Sequence, residues 1–133
     1  MPVTSIIRVS TAADGTQGNG GSFSPAFSPD GTKVAFFGYP DNFVSGDTNG
    51  QLDSFVKNLS TGEIERVSTD AAGAQANGPS FYPVFSPDGT KVFFEGAASN
   101  LVPVADPNNH IYVKTLATGA IERVSSDAMG APG

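Results

Sequence analysis

The chain has 133 residues, with 7 Lys and Arg against 13 Asp and Glu, and its formal net charge is −6. It contains no Cys and one His, which excludes disulfide scaffolds, cysteine nucleophiles and multi-histidine metal centres. Few and scattered basic residues argue against a nucleic-acid surface, and no apolar run approaches the roughly 20 residues of a membrane span. The first ten residues show no signal peptide. Sixteen Gly, ten Pro and ten Phe favour many short strands and turns.

The sequence repeats itself. The segment FSPAFSPDGTKV at 23–34 returns as FYPVFSPDGTKV at 81–92, and Arg-Val-Ser occurs at Arg8, Arg66 and Arg123. Every basic residue lies at a repeat-equivalent position, so we expect each to have a structural role inside the unit. The chain is therefore interpreted as one segment of two units, at about 11–68 and 69–125, with partial repeats at 5–10 and 126–133.

Each unit has four strand candidates, here called a to d. In strand a, Phe23, Pro25 and Phe27 are expected to alternate on one face. Its prolines indicate a strand that is short or not centrally paired on both sides. A Ser-Pro-Asp-Gly turn leads into strand b, whose residues are apolar on both faces. A long loop precedes strand c, and a short turn ending in Gly joins c to d. In chain order the predicted strands are Ser5–Ser10 (an additional d), Phe23–Phe27, Lys33–Phe37, Ser54–Leu59, Glu63–Ser68, Phe81–Phe85, Lys91–Glu95, Ile111–Leu116 and Ala120–Ser125.

Antiparallel strands in a repeated four-strand unit predict an all-β fold of β-propeller blades, because a sandwich needs no fixed repeat. The block Pro-x-Phe-Ser-Pro-Asp-Gly-Thr-Lys-Val resembles the WD-like repeat of TolB-type periplasmic propellers. The segments 44–50, 53–59 and 66–68 are similar to long bacterial extracellular repeat proteins that often accompany calcium-binding modules. Two blades cannot close a ring of four to eight. We therefore expect a homo-oligomer, with a trimer of six blades as the first expectation, or further blades of a longer chain.

The loop before strand c of the first unit indicates a calcium site. Oxygen-bearing side chains stand at alternate positions, and Gly50 lets the chain curl inward. Calcium takes six to eight oxygen ligands from such flexible loops, although Gly comes early for an EF-hand and the distal Glu is missing. The alternative is a loop whose polar side chains cap their own backbone. The predicted ligands are Asp47, Asn49, Gln51 and Asp53.

The second unit weakens this pattern. Asp106 and Asn108 remain as a predicted weaker loop, but His110 stands where the first unit has Asp53. Imidazole is a poor calcium ligand, so the second loop should bind calcium more weakly or not at all. His110 as a transition-metal ligand or general base is a further alternative.

Other polar residues have structural interpretations. Asp30 and Asp88 recur identically as turn residues. Arg66 and its equivalents lie beside apolar residues, which predicts a bond to a neighbouring blade. Tyrosines could form a sugar-stacking surface; these are Tyr39, Tyr82 and Tyr112.

The sequence thus favours a non-enzymatic, calcium-binding propeller module that is secreted, periplasmic or at a bacterial cell surface, and that has a structural or binding role toward a protein or glycan. The alternative is a carbohydrate-binding oligomeric propeller. A hydrolase or lyase is the weakest reading, because no acid, base and nucleophile cluster is recognisable.

Overall fold

The computed structural model describes residues 5–106 and 108–126, which form two four-stranded antiparallel sheets. In the first, β1 is Ser22–Phe27, β2 is Lys33–Gly38, β3 is Asp53–Asn58 and β4 is Ile64–Arg66. In the second, β5 is Ser80–Phe85, β6 is Lys91–Gly96, β7 is His110–Thr115 and β8 is Ile121–Arg123. Strands in each sheet neighbour one another in chain order. The eight strands that the repeat units predict are confirmed to within about two residues at each end, and no helix occurs in the described residues, hence none that could span a membrane.

The Ser-Pro-Asp-Gly turns hold the first two strands of each sheet together. Ser28 Oγ donates a hydrogen bond of 2.7 Å to Asp30 Oδ1, and the Thr32 backbone N–H donates to the same oxygen at 3.0 Å. Gly31 has a φ of 73°, which favours glycine. The same bonds recur around Asp88. The structural interpretation of both aspartates is confirmed.

The first strand of each sheet has an irregular register. In β1 the register shifts between Phe23 and Ala26, and Ser24 has a φ of 54°. The expected alternation of Phe23, Pro25 and Phe27 on one face is therefore wrong, because the bulge turns the strand between the two phenylalanines. Among the residues that the structure describes, the strand pairs only with β2, as its proline predicts.

The additional strand predicted at Ser5–Ser10 is not a strand in the structure. In both sheets strand d pairs with strand c of its own unit. In the described residues no such partner strand lies beside Ser5–Ser10, and its backbone remains unpaired with any sheet. The partial repeat predicted at 126–133 lies, apart from Ser126, outside the described residues.

The two sheets pack face to face through an apolar layer. Ala35, Val56 and Val67 of the first sheet contact Val92 of the second, and partly buried apolar residues of the second sheet complete the layer, namely Phe85 and Leu116. Each sheet keeps one face that the other does not cover. We call these the open face of the first sheet, which carries the exposed Phe27, and the open face of the second sheet, which carries the exposed Val124.

Two buried lysines fasten the segment that leads into each sheet. Lys57 Nζ donates to the carbonyls of Thr11, Ala12 and Gly62 at 2.9, 3.1 and 2.6 Å. Its repeat equivalent Lys114 donates to Thr69 and Asp70 at 3.1 and 2.9 Å. Burial lowers the pKa of both amines. The structural role predicted for the repeated lysines is confirmed for this pair.

Candidate functional site

Two predicted ligands in the loop before β3, Asp47 and Asp53, both contact Arg66. Arg66 at the end of β4 places Nη1 3.2 Å from Asp47 Oδ1 and 3.7 Å from Asp53 Oδ2, and all three side chains are buried. The register of β3 and β4 sets Phe55 opposite Arg66, so the guanidinium reaches Asp53 along one face of the sheet. The expectation that Arg66 binds a neighbouring blade is wrong, because both carboxylates belong to its own unit.

Asp53 is held from a second side by a serine. Ser68 Oγ donates to Asp53 Oδ1 at 2.8 Å and accepts the Ser54 backbone N–H at 3.2 Å. Burial raises the pKa of Asp53, and the nearby Asp47 charge raises it further, while Ser68 and Arg66 act in the opposite direction. Burial likewise raises the pKa of Asp47, against the lowering effect of Arg66. In both carboxyl groups the effect of burial on the pKa therefore outweighs the lowering effect of the shared Arg66.

The other two predicted ligands serve the fold of the loop. Asn49 Nδ2 donates to the Ala76 carbonyl at 3.0 Å, which joins the loop to the segment that leads into the second sheet. The Gln51 backbone N–H donates to Asn49 Oδ1 at 3.0 Å. This is the backbone-capping alternative that the sequence left open.

As arranged here, the four side chains do not make a calcium coordination shell. Calcium takes six to eight oxygens, whereas the two carboxylates face Arg66 and the Asn49 oxygen accepts a backbone N–H. Within 5–106 and 108–126 no group of three or more His, Cys, Asp or Glu is placed to hold a metal. Calcium binding at this loop stays a prediction, and it requires Arg66 to move.

The second loop builds a different network at the equivalent place. His110 Nε2 lies 3.0 Å from Asp106 Oδ2, and its Nδ1 lies 3.0 Å from Ser125 Oγ. Asn108 donates its backbone N–H and its amide to Asp106 Oδ1 at 2.9 and 2.8 Å. These bonds, the Asn108 N–H first, lower the pKa of Asp106. The structure therefore brings Asp106 and Asn108 of the predicted weaker site together, but Asp106 also contacts His110.

Asp106, His110 and Ser125 have the connectivity of a hydrolytic triad, but their setting is that of a structural network. His110 is buried, and Ser125 Oγ accepts the Ile111 backbone N–H at 3.0 Å. The equivalent serine of the first sheet, Ser68, makes the same backbone contact without a histidine. Because Ser125 Oγ contacts both His110 and the Ile111 N–H, it ties the segment after the fourth strand to the third strand.

The three tyrosines do not share one surface. Tyr112 is buried and donates its hydroxyl to the Ala98 carbonyl at 3.1 Å. Tyr39 and Tyr82 are exposed and lie beside the aromatic rings of Phe23, Phe37 and Phe81. Phe37 is 5.1 Å from Tyr82 between ring centroids, and Phe23 is 6.5 Å from Tyr39.

The sequence analysis missed Ser68 and Ser125 as members of these networks. The available signal was the third residue of the repeated Arg-Val-Ser motif, because an interior repeat position that always has a hydroxyl indicates a buried hydrogen bond. Arg123 differs from Arg66, since its Nη1 donates to the Val104 carbonyl at 3.0 Å.

No family model matches the chain, and no curated protein does. Among solved structures it is similar to TolB from Acinetobacter baumannii, with 30% identity and a TM-score of 0.52 over 81% of this chain and 22% of that one. It is also similar to a putative TolB from Agrobacterium tumefaciens, with 18% identity and a TM-score of 0.56 over 81% of this chain and 31% of that one. The chain spans less than a third of the length of these structures.

Two consecutive four-stranded antiparallel sheets that pack face to face define a β-propeller segment, in which each sheet is one blade. The solved structures specify the type further. The fold is that of TolB-type propellers, as the Ser-Pro-Asp-Gly motif predicts.

Proposed function

We propose that the chain is a non-enzymatic structural or binding module, a two-blade propeller segment that works together with further blades. The observation that supports this is a difference in exposure between repeat equivalents. Val67 is 1% exposed in the layer between the sheets, whereas its equivalent Val124 is 47% exposed. Phe85 is partly buried in the same layer, whereas its equivalent Phe27 is 69% exposed. Open apolar faces of this kind mark interaction sites, and a ring of blades covers such faces.

The polar networks support a non-enzymatic role. Arg66 binds its acids in the first sheet, and His110 binds its acid and serine in the second. The acids and the histidine, which the sequence alone offers as ligands or bases, here hold loops onto strands. Ligand recognition would then fall to the loops and to exposed aromatic residues such as Tyr39 and Tyr82.

We place this module in the periplasm, outside the cell or at a bacterial cell surface. The support is the similarity to TolB structures together with the resemblance to extracellular repeat proteins. Calcium belongs to the proposal in a narrower form than the sequence suggests. The ion would have to replace the Arg66 guanidinium between Asp47 and Asp53, where two carboxylates already face one point.

A second candidate function is carbohydrate binding. Phe23, Tyr39 and Tyr82 are exposed and adjacent through the Phe37 ring, and exposed aromatic rings stack on sugar faces. A glycan array that gives hits abolished by Tyr39→Ala and Tyr82→Ala would favour this candidate. An array without hits would count against it.

The mass of the chain under native conditions tests the main proposal. We expect a closed oligomer at micromolar concentration, with three copies as the first expectation. A folded monomer at that concentration would contradict assembly by this chain alone. The same measurement after calcium chelation shows whether the ion contributes to assembly.

A further inference from the structure

The segment Ile6–Ser10 duplicates the fourth strand of each sheet without its environment. It matches both Ile64–Ser68 and Ile121–Ser125 except at Ile7, where each has Glu. Those two segments are paired with strand c, whereas Ile6 is 91% exposed and Ile7 is 70% exposed. Arg8, whose equivalent Arg66 is buried, binds only the exposed Gln17 in the described residues.

The segment nevertheless lies where the fourth strand of a preceding blade would lie. Val9 packs against Val34, Phe36 and Phe55 of the first sheet. Its equivalent Val67 packs in the same way against Val92 of the second sheet. Beside Ile7 and Val9 an apolar groove of about 430 Å³ opens onto Phe27 and its neighbours. The groove lies beside the first sheet on the side away from the second sheet. Relative to Ile6–Ser10, it corresponds to the space that strands a to c of the first sheet fill beside β4.

We propose that a second copy of this chain fills the groove with its second sheet and pairs its β7 edge with Ile6–Arg8 in place of its own β8. The inference rests on the proposed function, since it specifies how copies join. The register follows the existing one, in which Tyr112 pairs with Arg123 and Val113 with Glu122. Arg8 would thus lie opposite the partner's Tyr112, and Ile7 opposite the partner's Val113.

Two arrangements are possible: Ile6–Arg8 replaces β8 of the neighbouring copy, or an intact neighbouring blade pushes Ile6–Arg8 aside. The structure favours the first. Residues directly after the segment are fixed, because Lys57 binds the carbonyls of Thr11 and Ala12. Val9 already packs against the first sheet at the place that its repeat equivalent Val124 would take in an intact neighbouring blade. By contrast, β8 has three residues, and Val124 after it is 47% exposed. It is therefore the strand that can leave with the smaller loss.

The exchanged strand can reproduce the contacts that β8 gives up. Ser10 takes the position of Ser125, which binds the Ile111 N–H and lies on His110. Arg8 takes the position of Arg123, which binds the Val104 carbonyl. The apolar contact between the open faces is then a net gain, and Ile7 adds to it where β8 has Glu122. Such head-to-tail contacts close into a ring when the rotation allows.

Disulfide trapping tests the exchange, because the chain has no native cysteine. Opposite residues in an antiparallel ladder have Cα atoms about 4.5–5.5 Å apart, which suits a disulfide. In the variant Ile7→Cys with Val113→Cys we expect oxidation to give chains linked in series on a non-reducing gel. Each single variant should give far less of the linked species. Absence of linked chains from a properly folded double variant overturns the proposal.

A matched lock provides the control. Val113→Cys with Glu122→Cys should close within one chain and keep β8 on its own sheet. Oxidised, this variant should associate at least about tenfold more weakly than the unmodified chain, and reduction should restore association. If the oxidised lock assembles as well as the reduced form, copies join without exchange and this inference is wrong while the assembly proposal stands. A monomeric unmodified chain contradicts both.

Discussion

Asp53 and His110 occupy equivalent positions at the start of the third strand in the two sheets, and each contacts the serine that follows the fourth strand. Ser68 donates to Asp53 at 2.8 Å, and Ser125 lies 3.0 Å from His110. One repeat position thus holds a carboxylate in one blade and an imidazole in the other. Both side chains tie strand d and the long loop to strand c.

The first prediction concerns loss of the Asp53 carboxylate. Asp53→Ala should lower the free energy of unfolding by about 3–5 kcal/mol, because breaking a buried ion pair leaves the partner charge uncompensated. Asp53→Asn should cost less, since its amide oxygen still accepts from Ser68. Urea unfolding measures both. Equal losses in the two variants would show that the hydrogen bond from Ser68 is not retained.

The second prediction concerns His110. His110→Ala removes the link between Asp106 and Ser125 and empties a buried site, so we expect a loss of about 1–3 kcal/mol in the free energy of unfolding. Asn109→Ala, at the exposed neighbouring position, is the control and should change stability little. A neutral His110→Ala would contradict the structural role argued for this network.

Sequence reasoning reached the fold because the blade motif is local, with its turn, alternation and repeat contained in short segments. It also placed Asp47, Asn49 and Asp53 in one site, because they lie within one loop. It did not place Arg66 there, since that contact depends on the register of β3 against β4. Ser5–Ser10 was predicted as a strand from its sequence, but a strand needs a partner edge, which no sequence pattern within the segment supplies.

The third prediction separates the covered face from the open one. Phe37 is buried against Phe81 and Tyr82 between the sheets, so Phe37→Ala should lower the free energy of unfolding by about 3–5 kcal/mol. Phe27→Ala on the open face should cost the monomer less than about 1 kcal/mol but weaken self-association. Unfolding at low concentration and sedimentation measure the two effects. A Phe27→Ala chain that assembles normally would contradict the docking face.

The fourth prediction concerns acid stability. Hydrogen bonds lower the pKa of Asp30 and Asp88 to about 2, chiefly from the Ser28 hydroxyl at Asp30 and from the Thr90 N–H at Asp88. Because the folded pKa lies below the unfolded value near 3.9, the stability they contribute is present above about pH 4 and is lost as the pH falls through 2. Asp30→Asn with Asp88→Asn should flatten the fall in melting temperature between pH 5 and pH 2. An unchanged pH profile would show that these turns do not contribute to acid sensitivity.

The fifth prediction tests whether calcium competes with Arg66. Arg66→Gln leaves Asp47 and Asp53 facing each other without their cation, which should destabilise the fold in the absence of metal. Calcium should then bind where the guanidinium lay, since paired carboxylates in a flexible loop are the oxygen ligands it prefers. We expect millimolar calcium to raise the melting temperature of Arg66→Gln more than that of the unmodified chain. Adding Asp47→Asn to Arg66→Gln should abolish the additional rise. Titration calorimetry of Arg66→Gln that shows no calcium heat, with no rise in melting temperature, would rule out calcium at this loop and leave Arg66 as its cation.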